Sequence, residues 1–126
     1  KSKPSDKMVL ITDSMAATGE PDGEYSIAGS PVTVTNGRAI ILPSGTIAGS
    51  TLTLFKGLTN FMRFCKLPLT KALKYATTNP ARMVGASMVG KISKNYRADL
   101  IVINDTENPE IEAVYVGANK IGDLMI

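Results

Sequence analysis

Apolar residues run unbroken through Met8-Val9-Leu10-Ile11 and stop at Thr12-Asp13-Ser14. A run of this kind suits a strand buried on both faces, as in a parallel sheet. A small-residue loop follows from Ser14 to Gly23. The pattern then changes to alternation. Glu24 to Ala28 and Pro31 to Thr35 read as antiparallel strands, and Arg38 to Leu42 runs back after Asn36-Gly37. Asn-Gly between alternating segments is a strong hairpin signal, because a type I′ turn needs positive φ at both central residues. The result is a predicted three-stranded meander. Pro43-Ser44-Gly45 breaks it, and Thr46-Ile47-Ala48-Gly49-Ser50 is expected as a loop.

The period next becomes helical. Leu54, Phe55, Leu58, Phe61, Met62 and Cys65 share one face, with Ser50 or Thr51 as the expected cap. Lys66-Leu67-Pro68 ends that helix. A second helix is predicted over Thr70 to Thr77, with Leu69, Ala72, Leu73 and Ala76 inward. Asn79-Pro80 reads as a cap and first turn, closed by Gly85. The tail returns to strands at Ala98 to Ile103 and Ile111 to Val116, with a short last strand at Ile121 after Gly117-Ala118. A single parallel-type strand cannot satisfy its backbone alone. The partners of Met8 to Asp13 are expected in sequence beyond this segment or in another chain.

The 126 residues are 44% hydrophobic and 20% charged, which argues against disorder and fits one domain. The net charge of +3 comes from scattered basic residues, so nucleic-acid binding is not expected. No apolar run is long enough to span a bilayer, so no membrane partner is expected either. One cysteine, Cys65, excludes an internal disulfide framework and points to a reduced, cytoplasmic setting. Cys65 itself is expected as a buried structural thiol. The first residues lack Met and read as a loop, consistent with a chain cut from something longer.

Candidate chemistry centres on Asp13. A carboxylate at the carboxyl end of a buried strand sits where barrel enzymes keep their reactive groups. It can equally hydrogen-bond the following turn. There is no histidine in the chain, so the usual companions of such an aspartate in a metal site are missing, and no metal ligand is assigned. Gly45 to Ser50 lacks the lysine and glycine spacing of a phosphate loop. Asp99 reads as fixing a turn and Arg82 as a surface salt bridge. Asn104-Asp105-Thr106 matches a glycosylation sequon by chance.

Several pieces together carry a resemblance. They are Leu10-Ile11-Thr12-Asp13-Ser14-Met15-Ala16, Gly23-Glu24-Tyr25 with Ala28-Gly29, and Gly45-Thr46-Ile47-Ala48-Gly49-Ser50 with Leu52-Thr53. Asn79-Pro80-Ala81-Arg82, Gly90-Lys91-Ile92 and Ala98-Asp99-Leu100-Ile101-Val102 follow in order. In this set the chain resembles the C-terminal third of the N-acetylglucosamine-6-phosphate deacetylases of the amidohydrolase superfamily. Ser14 stands where Ala is common. Asn95 stands where Gly is frequent, and Asn tolerates the left-handed conformation.

The resemblance implies an α/β fold, a C-terminal fragment of a metal-dependent (β/α)8 barrel with the C-terminal strands of a small β-domain. Residues 1–90 would supply the last barrel strand, the meander and outer helices, and residues 91–126 the β-domain strands. A whole barrel needs roughly 250 residues. It further implies Asp13 as general base and acid, and Ile47, Ala48 and Gly49 as substrate-binding residues. A divalent metal, zinc or iron, would serve the full-length enzyme, with none expected on this chain alone. Expected partners are an amino-sugar phosphate substrate, the rest of the enzyme chain and, when intact, a second copy in a homodimer. The isolated chain is expected to be inactive. Alternatives are a fragment of a dihydroorotase- or hydantoinase-like enzyme, or a non-catalytic α+β binding module.

Overall fold

The computed structural model describes residues 3–121. They divide into two compact units: residues 11–57, and residues 58–121 with 3–10.

The first unit is built on an antiparallel meander of β1 (Gly23–Ile27), β2 (Ser30–Thr35), β3 (Arg38–Ile41) and β4 (Thr46–Ile47), in that order across the sheet. Asn36 and Gly37 both have positive φ, as the hairpin between β2 and β3 requires, and pair Thr35 with Arg38. The Asp22 carboxylate accepts the N–H groups of both turn residues. Alternation sends Val32 and Val34 inward, where they meet Ala17, Ala39 and Ala48. Burying a valine side chain stabilises by roughly 1.5–3 kcal/mol, so β2 anchors this core. The fourth strand replaces the loop expected at Thr46. The Gly45 N–H donates to the Ile41 carbonyl at 2.9 Å, and that turn brings Ile47 opposite Ile40.

The predicted strand Met8 to Asp13 joins neither sheet. A parallel strand needs a neighbour to receive its N–H and carbonyl groups. Among the described residues the nearest equivalent is one isolated parallel pairing, Ser14 with Ser50. Met8, Val9 and Leu10 are half-buried, and Ile11 is 73% exposed.

The helix α1 (Leu54–Cys65) starts later than expected. Thr53 caps it, its Oγ1 accepting the Lys56 N–H at 3.3 Å. Ser50 and Thr51 have other work: Ser50 Oγ donates to the Thr12 carbonyl and Thr51 Oγ1 to that of Gly37. Leu58 and Met62 are buried while Leu54 remains exposed. The expected burial of Cys65 is corrected, since it is exposed. It lies in the last turn, next to Lys66 in the left-handed conformation, and the chain bends away there.

In the second unit the predicted helix over 70–77 is split into α2 (Leu69–Ala72) and a 3₁₀ turn, Leu73–Tyr75. Tyr75 is buried and meets Phe61 edge to face at 4.9 Å. α3 (Thr78–Met83) follows. Asn79 does not cap it. Its side chain is buried and donates to the carbonyls of Ser5 at 2.9 Å and Met8 at 2.6 Å. Gly85, with positive φ, closes α3 as predicted.

A second antiparallel sheet, β5 (Leu100–Ile103), β6 (Ile111–Val116) and β7 (Asn119–Ile121), forms the tail. The Asp99 carboxylate accepts the Gly117 N–H at 2.8 Å and so fixes the turn before β7. Asn95 adopts positive φ.

Candidate functional site

Asp13 stands where the extended segment turns into the loop, with φ of 54°. Aspartate is one of the few side chains that tolerate this region. The backbone around it is held from both sides. The Ser50 N–H donates to the Asp13 carbonyl at 2.8 Å, and the Ser50 carbonyl accepts the Met15 N–H at 2.8 Å. Ser14 Oγ donates to the Leu52 carbonyl at 2.7 Å. Thr12 Oγ1 accepts the Ser14 N–H at 3.3 Å, and the Met15 N–H that a turn-fixing Asp13 would accept is the one taken by Ser50. The Asp13 carboxylate itself is exposed and forms no hydrogen bond or ion pair among the described residues.

That carboxylate borders a cleft of about 480 Å³. Ser14, Met15 and Ala16 continue its wall from the loop, Ser26, Ile27 and Ala28 from the end of β1, and Ala48 and Gly49 from the segment after β4. Asp13 is the one acidic residue in this lining. Gly49 has φ of 85°, and a Cβ there would lie 2.9 Å from the Asp13 carbonyl oxygen. Only glycine lets the two segments come this close. The site thus joins an unengaged carboxylate to a wall of small residues. Such a site can move a proton at the edge of a small polar molecule.

The family model for the amidohydrolase family matches residues 2–121. The chain belongs to the amidohydrolase family.

This amidohydrolase chain is 35% identical over 118 residues to the N-acetylglucosamine-6-phosphate deacetylase of Vibrio furnissii, covering 93% of itself and 29% of that protein. It is 33% identical over 100 residues to the N-acetylgalactosamine-6-phosphate deacetylase of Escherichia coli O157:H7, covering 79% of itself and 26% of that protein. The crystal structure of the N-acetyl-D-glucosamine-6-phosphate deacetylase of Mycobacterium smegmatis matches with a TM-score of 0.82 at 34% identity, over 93% of this chain and 31% of that one. The chain therefore spans less than a third of the length of these proteins.

Of the expected site residues, the amidohydrolase chain brings Asp13, Ala48 and Gly49 to one cleft. Ile47 lies just before them on β4, 60% exposed and outside the lining. Among the described residues no three His, Cys, Asp or Glu side chains come together. Ser50 was read as a helix cap, and its hold on Thr12 and Asp13 was missed. The sequence carries no signal for these contacts, which join segments 38 residues apart.

Proposed function

We propose that this chain supplies part of a hydrolase that deacetylates N-acetylglucosamine 6-phosphate to glucosamine 6-phosphate and acetate, with Asp13 moving the proton. The observation that carries this reading is the free carboxylate at the cleft wall. An aspartate kept for the loop would accept the N–H two residues on, that of Met15, and the Ser50 carbonyl takes that N–H instead. In the reaction water adds to the acetyl carbonyl carbon and the carbon–nitrogen bond breaks. Asp13 takes the proton of that water and returns it to the departing nitrogen. Ala48 and Gly49, with Ile47 beside them, would let the backbone approach the sugar closely.

A divalent metal, zinc or iron, would supply a water of lowered pKa when bound. This chain's described residues do not fit such a centre by themselves. Its ligands would come from the rest of the enzyme. In the same reading residues 1–90 belong to the catalytic barrel and residues 91–126 to a small β-domain. Residues 1–2 and 122–126 of those spans lie outside the described ones. No helix among the described residues is long and apolar enough to cross a membrane.

The test is acetate release by the full-length protein from N-acetylglucosamine 6-phosphate and, in parallel, from its galactosamine epimer. The expected result is release of acetate and a free amine, faster with the glucosamine compound. Faster release from the galactosamine compound would keep the chemistry and change the substrate. No release from either, with hydrolysis of dihydroorotate or a hydantoin, would place the chain with another amidohydrolase.

A further inference from the structure

Ser50 is bonded around Asp13 through three atoms, its N, O and Oγ. Its N–H donates to the Asp13 carbonyl at 2.8 Å, and its carbonyl accepts the Met15 N–H at 2.8 Å. Its Oγ donates to the Thr12 carbonyl at 2.5 Å and accepts the Leu52 N–H at 3.1 Å. Thr18 Oγ1 adds a bond to the Ser50 carbonyl at 3.2 Å. The peptide groups on both sides of Asp13 are thereby tied to one residue. Gly49 makes this approach possible, since any Cβ there would run into the Asp13 carbonyl. Among the described residues the carboxylate makes no bond of its own, so its direction depends on the backbone that bears it. That backbone sits in the left-handed region, where a non-glycine residue persists when its surroundings hold it.

We infer that Ser50 is a positioning residue: its hydroxyl, seated through the glycine gap at 49, sets the direction of the Asp13 carboxylate. This rests on the reading of Asp13 as the proton carrier. A catalytic group misplaced by about 1 Å can lose about 10²-fold in rate. The substrate contacts proposed at Ala48 and Gly49 would not use the Ser50 hydroxyl, which is bonded to the Thr12 carbonyl and the Leu52 N–H.

The experiment is steady-state kinetics of Ser50→Ala, Ser50→Thr and Ser50→Cys in the full-length enzyme, beside Asp13→Asn. Ser50→Ala should lower kcat by about 10- to 100-fold with KM changed less than about twofold and the melting temperature nearly unmoved. Ser50→Thr keeps the hydroxyl and should restore most of kcat. The thiol of Ser50→Cys is a weak donor, so its kcat should stay low. It is read in place of the alanine variant if that one does not fold. Added to Asp13→Asn, Ser50→Ala should cost little more. Normal kcat in both the Ala and Cys variants, with Asp13→Asn impaired, overturns the positioning role alone. So does a loss confined to KM or stability. Near-normal turnover of Asp13→Asn overturns the reading beneath it.

Discussion

Asp13→Asn in the full-length enzyme should cut kcat by about 10²–10⁴-fold and leave KM and folding nearly unchanged. The size follows from losing general acid–base help. The selectivity follows from the geometry. Asn has nearly the same shape and is as tolerant as Asp of the φ of 54° found at this position. The carboxylate has no partner among the described residues, so replacing it breaks no bond that holds the loop. The carbonyl of residue 13 would still accept the Ser50 N–H. What the amide cannot do is accept a proton from water. Kinetics with a thermal melt alongside decide the matter. A variant turning over at near the normal rate would make Asp13 a loop residue.

The largest effect on stability is expected at Asn79. Its buried amide group donates to two carbonyls far off in sequence, those of Ser5 and Met8. These bonds tie the segment leading to Asp13 onto α3, within one compact unit. Asn79→Leu keeps the volume and leaves both carbonyls without that donor. Each lost bond costs about 1 kcal/mol, and more where the orphaned group is buried. A total of about 2–3 kcal/mol corresponds to about a 30- to 150-fold loss of protection in hydrogen exchange. The informative amides are Leu10, which donates to the Tyr75 carbonyl at 2.8 Å, and those of α3. Unchanged protection there would mean that the Asn79 bonds hold nothing.

Local rules made part of this fold legible. Asn36-Gly37 and Gly117-Ala118 turn their hairpins, Gly85 stops its helix, and Asn95 takes the left-handed turn. These depend on neighbours in sequence, and the strand positions follow from them. Met8 to Asp13 pairs with neither sheet among the described residues, because an apolar run says how buried a segment would be, not whether a partner is present. The cap at Thr53 was missed for a related reason. Ser50, Thr51 and Thr53 all carry a hydroxyl, and distant carbonyls at Thr12 and Gly37 claim the first two. Asn79 before Pro80 has the form of a helix cap, and only the fold shows its amide reaching back 71 and 74 residues. At the site, its place after an apolar run makes Asp13 a candidate, and the structure puts it at a cleft. The Ser50 contacts have no such sign, since they join segments 38 residues apart.

The most direct measurement is turnover of N-acetylglucosamine 6-phosphate by the 126-residue chain alone, with zinc or iron added, beside the full-length protein under the same conditions. The chain has no histidine, and a catalytic zinc normally takes histidine together with a carboxylate or thiolate. Asp13 is the one acidic group lining the cleft. The expected result is acetate release by the full-length protein and none above background by the chain alone. Deacetylation by the chain alone would contradict the claim that it carries one proton-transfer group of a site completed elsewhere.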